Sequence, residues 1–347
     1  MTLPDERVPF PVAPVFRIRP DMHRWPEGDR GYLRLDARYP AYFDEKLRLL
    51  GADPAGCRVL SPDAEPDGVE GALVRVAEAL AEDAASRGGA GPVPVAVDAR
   101  TLRFPLLGVV LDREGLDASA AGTAPGEGPR PPALRALGAR ALAHLAQLPP
   151  LERLADALAL AVQEDLVIVR ADAPGAGPEA GPAGHAELLH VCFPSGWDPA
   201  SRAGADFAAL HAPVPHGRVL QRAAPQVVRA MVSKGPFVRY VWSLAPDARL
   251  DRNPRRHADL RAAVPPEALW FRVERQTVMP LPELRRALFT IRVYMAPLPA
   301  VLTGAERRST LAAAVASMDE ALLAYKGIGE GKDALLAWLE PRGATAS

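Results

Sequence analysis

The chain has 347 residues, with 41 basic and 42 acidic side chains and two cysteines, Cys57 and Cys192. That length can bury a large core, as one big domain or two modest ones. The balanced charge leaves no general footprint for nucleic acid or an anionic membrane, and two cysteines build neither a disulfide framework nor a Cys-rich zinc or iron–sulfur site. The opening stretch, MTLPDERVPFPVAP, lacks the basic lead and apolar run of a secretory signal. No run of about 18 apolar residues occurs, so no membrane span is predicted and a cytoplasmic protein is expected.

In chain order, Tyr42–Leu50 reads as a short amphipathic helix stopped by Gly51. Val69–Ala85 is a stronger helix, with Leu73, Val76, Ala77 and Leu80 at helical spacing before a Gly88-Gly89 break. These predict a helical layer over residues 1–100, packed on something else. Residues 112–132, DREGLDASAAGTAPGEGPRPP, have no periodicity and read as a flexible loop. Residues 133–169 carry helix signals until Val167–Val169, where β-branched residues replace Ala and Leu and a strand begins. The triplet Gln163-Glu164-Asp165 reads as solvated or capping groups at the helix end. Ala171–Ala186 holds no core-forming residues and predicts a long surface loop with His185 exposed.

Leu188–Phe193 is an apolar strand, and Pro194-Ser195-Gly196 is a turn. Asp198 is a plausible N-cap for a short helix running to Leu210. His211 ends that helix, ahead of a Pro-Val-Pro exit that cannot continue it. A histidine there suits the helix dipole, and equally an iron atom, because neutral imidazole binds iron well. His190 and Cys192 share a strand face and read as core, since zinc normally takes three or four protein ligands; His216 reads as exposed. Residues 219–234 predict a helix with Val219, Val227, Val228 and Met231 as its apolar positions, and 237–244 a strand. The Arg-rich stretch 245–268 reads as a solvated loop.

Residues 270–295, WFRVERQTVMPLPELRRALFTIRVYM, predict two strands joined by a turn or helical loop. Period 2 puts Arg272, Glu274 and Gln276 on one face and Phe271, Val273, Arg275 and Thr277 on the other. On charge chemistry alone these are ion pairs on a half-exposed sheet, because charges that leave water need partners. Ala305–Lys326 predicts one amphipathic helix, broken at Gly327–Gly331 and followed by a short tail. The element order favours an antiparallel α+β fold over a parallel sheet. There is no G-x-G-x-x-G after a strand, no P-loop, no H-E-x-x-H and no G-x-S-x-G.

Four separated stretches, VQEDLVIV (162–169), CFPSGW (192–197), LHAPVP (210–215) and FRVERQT…LFTIRVY (271–294), resemble in order and spacing the alpha subunit of haem-dependent oxidative N-demethylases. The resemblance implies a PAS-like curved antiparallel sheet flanked by helices over residues 101–326, a helical N-terminal extension over 1–100, and a tail over 327–347. It implies non-covalent haem b; no C-x-x-C-H attachment motif is present. It further implies O2-dependent oxidation of a small secondary amine to amine plus formaldehyde, with electrons from NADPH through a separate FMN and iron–sulfur reductase subunit. Carried over residue by residue, His211 becomes the axial ligand, and Glu274 and Arg272 become the catalytic candidates. Arg275, Arg239 and Trp242 become haem-contacting candidates, with only one face of the 270–278 strand expected to line the pocket. The chain departs from its relatives at Arg239-Tyr240-Val241-Trp242, where they tend to show Arg-x-Asn-Trp, and at Arg202-Ala203-Gly204 in place of Lys-x-Gly. A haem- or small-ligand-binding sensor of the same fold is the alternative, since fold does not fix function.

Overall fold

A computed structural model describes residues 3, 7–18, 22–25, 31–87, 93–122, 132–171 and 184–340. The chain enters with β1 (His23–Arg24), α1 (Tyr39–Ala52), β2 (Arg58–Leu60) and α2 (Pro66–Ser86). Four short strands follow, β3 (Ala96–Val97), β4 (Thr101–Phe104), β5 (Val109–Asp112) and β6 (Ala118–Ala120), then helices α3 (Pro132–Leu145) and α4 (Pro150–Leu160). The second half holds β7 (Asp165–Ala171), β8 (Gly184–His190), α5 (Phe207–Leu210), α6 (Arg218–Ser233) and β9 (Phe237–Ala245). It closes with β10 (Trp270–Leu281), β11 (Arg286–Pro297), α7 (Leu298–Val301), α8 (Ala305–Ala316), α9 (Glu320–Tyr325) and α10 (Lys332–Leu339).

Seven strands form an antiparallel sheet in the order β1-β9-β10-β11-β7-β8-β2, and β3 to β6 form a second, meandering one. The fold is α+β, with antiparallel sheets flanked by helices. Its spine is the β10–β11 hairpin, paired from Trp270↔Pro297 to Leu281↔Arg286. The connection is a 3-10 turn over Pro282–Leu284, closed by Arg285 at φ 50°, a left-handed position that ends the turn and sends the chain back.

Directly opposed residues share a face, so the register sorts the sheet. On one face Phe237, Val278, Phe289 and Val167 line up across four strands, and α6 covers them with Val227, Val228, Met231 and Val232. On the other face Trp242, Val273 and Tyr294 pack under α7 to α10, while Leu288 and Ile168 join α1, α2 and α4.

Several expectations are corrected. Helix α1 runs through Gly51, because the helix is held by buried Tyr42, Phe43, Leu49 and Leu50. Within 112–132, β6 and the start of α3 are ordered elements, residues 123–131 lying outside the described ones; Gly88 and Gly89 lie outside them too. Within 171–186, β8 begins at Gly184, so His185 is a half-buried strand residue; residues 172–183 lie outside the described ones. Asp198 does cap a helix, but only the 3-10 turn Pro199–Arg202, and Asp206 starts α5 afresh. Val219 is 60% exposed and Leu220 takes its inward place. The stretch 245–268 is anchored by buried Asp251, which accepts from Arg256 and His257. Asp319 caps α9 and splits the single helix expected over 305–326. The segment after Gly331 carries α10, which buries Leu335 and Leu339 against α8.

Candidate functional site

The charged residues of β10 are not solvent-facing pairs: Arg272 and Arg275 are each 1% exposed. Their faces separate their partners as period 2 requires. Arg275 points with Thr277 toward the N-terminal segment and donates to the carbonyls of Gly31 and Tyr32. Arg272, on the α6 face, donates to the carbonyls of Phe193 (2.7 Å) and Leu250 (2.9 Å) and approaches Glu274 Oε1 at 3.5 Å. A guanidinium satisfied by carbonyls keeps its charge without being neutralised, which leaves Glu274 beside a positive neighbour. Gln276 Nε2 donates to Glu274 Oε2 at 2.9 Å, fixing the carboxylate's orientation.

Across from this strand, Arg239 opposes Gln276 and Val241 opposes Glu274 in the β9–β10 register. Arg239, Glu274 and Gln276 therefore present one polar, half-buried patch at the β9 side of the α6 face. His211, at the end of α5, lies within electrostatic reach of Arg239 in that patch. Asp206 caps the helix through Ala209 N, and the chain turns after Leu210, which projects the imidazole from the helix end. Its Nδ1 lies 2.8 Å from the Phe207 carbonyl one turn earlier, and its ring stacks on the Phe207 ring at 4.2 Å. A carbonyl only accepts, so Nδ1 carries the proton and Nε2 keeps its lone pair. Among the described residues Nε2 makes no hydrogen bond. Burial, against the pull of the Phe207 carbonyl and with the charge of Arg239, pushes the His211 pKa below its ordinary value, which favours the neutral imidazole.

Of the six sequence-derived candidates, the fold places Arg239, Glu274 and Arg272 on one sheet face, with His211 close enough to Arg239 to feel its charge. Trp242 and Arg275 stand on the opposite face. Trp242 stacks on Phe271 and has the ammonium of Lys326 over its ring at 5.2 Å. Sequence reasoning missed Lys326, which is 2% exposed and donates to the Trp242 carbonyl at 2.6 Å. Burial and Arg239 lower its pKa to about 7, although Glu274 pulls the other way. No local pattern marks it; its backbone is held by Leu244 N, which donates to the Lys326 carbonyl, a contact between segments far apart in sequence. Gln276 and the Phe207 carbonyl were also missed. Only the four-residue spacing of Phe207 and His211 on one helix turn hinted at the latter.

The donor set fits an iron porphyrin better than a bare ion. Among the described residues no group of three or more His, Cys, Asp or Glu side chains could hold a metal ion. A porphyrin supplies four nitrogens itself and asks the protein for one neutral imidazole with its second nitrogen anchored, which is the state of His211. Together these features define an antiparallel α+β protein with a half-buried imidazole, anchored through one nitrogen, near the guanidinium of Arg239. A family model described as haem-dependent oxidative N-demethylase, alpha subunit-like, matches residues 136–336, more than half the chain. The chain belongs to that family. No helix among the described residues is long and apolar enough to cross a membrane.

Proposed function

We propose that this chain is the haem b-bearing subunit of an oxidative N-demethylase that acts on a small secondary amine, and that His211 is its axial ligand. The observation that carries the reading is the His211 geometry: Nδ1 engaged by the Phe207 carbonyl at 2.8 Å, and Nε2 open and neutral. Strands β7 to β11, with α5 and α6 across one face, supply the PAS-like shell expected within residues 101–326, and β1 and β2 extend that sheet from the N-terminal segment. When bound, the haem iron would supply O2 activation and oxidation of the amine's methyl group, with electrons from an NADPH-dependent FMN and iron–sulfur partner.

The chain's own residues do the rest. Glu274, oriented by Gln276 and flanked by Arg272, holds the substrate ammonium through a charge-assisted hydrogen bond. Arg239 offers a guanidinium near His211 for a haem propionate and adds to the burial that lowers the imidazole's pKa. Phe207 fixes the ring plane by stacking.

The test is a visible spectrum of protein produced with added haem precursor, beside His211→Ala. A Soret band in the parent that is lost or shifted in the variant is expected, followed by formaldehyde release in an amine screen with a reductase. A parent that stays colourless after reconstitution with haem defeats the proposal. A Soret band without turnover of any amine leaves ligand binding as the function.

A further inference from the structure

From Phe207 to Pro246 the sequence holds no Asp or Glu, but holds Arg218, Arg222, Arg229, Lys234 and Arg239, in a chain whose net charge is −1. The absence is continuous over α5, α6 and β9 and begins just before His211. Helix α6 turns these charges outward. Spacings of four and seven residues put Arg218, Arg222 and Arg229 on one stripe, opposite the Leu220, Val227, Val228 and Met231 that the sheet buries. Arg218, Arg222, Arg229 and Lys234 are all exposed. None of these four makes an ion pair among the described residues, in contrast to exposed arginines such as Arg48, paired with Glu45, and Arg140, paired with Asp44. An unneutralised stripe costs self-repulsion and creates a field that reaches about 8–10 Å into solvent at physiological salt.

The stripe also has the anatomy of an interface. Val219, 60% exposed, is one of three large apolar side chains that stand in solvent among the described residues, and it sits between Arg218 and Arg222. On the other flank of the stripe a surface cavity of about 540 Å³ is lined by Ala212, Val214, His216, Gly217, Arg218 and Gln221. A charged stripe with an exposed apolar side chain on one flank and a concavity on the other offers the mixed polar and apolar surface of an association site. The segment that lines the cavity is the direct continuation of His211, so a partner seated there approaches the candidate site by the shortest route along the chain.

We infer that the exposed face of α6 that carries Arg218, Arg222 and Arg229, with Val219 on its flank, is the docking surface for an acidic electron-donor protein. This rests on the reading of the chain as the haem-bearing subunit. Charge complementarity of this kind raises the encounter rate and fixes orientation more than it adds affinity, which suits a donor that must leave after each electron.

The experiment uses the full chain with a strongly acidic plant-type [2Fe–2S] ferredoxin as probe. Binding is measured on immobilised protein, and reduction by the change in visible absorption. Expected is binding that weakens about tenfold or more between about 50 and about 300 mM salt, and a similar loss in the Arg222→Glu, Arg229→Glu double variant. A milder Arg222→Gln variant, with its circular dichroism compared with the parent's, covers a folding failure of the reversal. Reduction by a small photoreduced flavin should be unaffected in every variant. The inference is overturned if the probe does not bind, if charge reversal leaves binding unchanged, or if a DNA duplex of equal charge competes as well as the ferredoxin does. Failure of the haem reading is separate: a protein that stays colourless can still bind the ferredoxin in a salt-dependent way.

Discussion

At the residue scale the informative positions are those where a polar group has left water. Lys326 is one: its ammonium lies over the Phe16 ring at 4.5 Å and donates to the Trp242 carbonyl at 2.6 Å, while burial lowers its pKa to about 7. An unfolded lysine titrates near 10.4, so between about pH 7 and about pH 10 the unfolded chain holds a proton that the folded one has released. Stability contributed by this site is therefore lowest below pH 7 and rises toward pH 10. Lys326→Met should flatten that rise in urea unfolding followed against pH, and an unchanged slope would show that the lysine stays charged in the fold. His211 and Arg272 were legible in advance because one stands at a helix end and the other on a period-2 face. Their partners were not: Arg272 reaches carbonyls 22 and 79 positions away, and no local pattern encodes such distances.

At the scale of elements, the same blindness to distant partners explains the Gln163-Glu164-Asp165 triplet. All three side chains are fully buried, against the expectation of a solvated helix end. Gln163 accepts from Asp36 N and donates to Asp36 Oδ1; Glu164 accepts from Arg34 N; Asp165 accepts from the N–H groups of Cys192 and Phe193. The triplet stitches the segment before α1 and the turn after β8 onto the start of β7. Lys46 of α1 completes the knot by donating to the carbonyls of Ala159, Val162 and Glu164. Arg292 of β11 faces Asp36 at 2.7 Å with no solvent exposure and lies over the Tyr42 ring at 4.2 Å. Removing one partner of such a pair strands a buried charge and costs about 3–5 kcal/mol, whereas an exposed pair is worth about 0–1 kcal/mol. Asp36→Ala should accordingly lower the urea midpoint at constant slope, and Arg48→Ala, which loses only the exposed contact to Glu45, should leave it nearly unmoved. The β10–β11 hairpin, by contrast, was readable as two strands with the right face assignments, since alternation sorts the side chains of each strand, although the burial of its charges was not. The single helix expected over 305–326 was not, because apolar spacing continues across Asp319 while the cap at Leu322 N restarts the backbone.

At the scale of the whole molecule, the question is whether residues 1–100 are an appendage or part of one folding unit. One buried apolar cluster contains Tyr42, Phe43 and Leu49 of α1, Val69 to Leu80 of α2, Leu154 to Leu160 of α4, and Ile168, Leu188, Met279, Leu288 and Val293 of the large sheet. The second sheet feeds it as well, through Leu102, Phe104, Val109 and Leu111. Cutting the chain near residue 100 would expose both sides of that cluster, and each large apolar side chain laid open costs about 1.5–3 kcal/mol. Marginal stabilities of about 5–15 kcal/mol do not survive the loss of several such contacts. Polar groups make the same connection, since Lys46, Tyr42 and Arg38 hydrogen-bond backbone carbonyls of the α4–β7 connection and β11. Hydrogen exchange should therefore find the amides of α1 and α2 opening together with those of β7 and β11, at one common free energy. Separate opening of residues 39–86 at markedly lower free energy would instead identify an autonomous extension. The exposed face of α6 is not part of this unit's core, so charge variants there should leave the common opening energy unchanged while altering docking. That independence lets the partner-facing surface vary without disturbing the fold that positions His211.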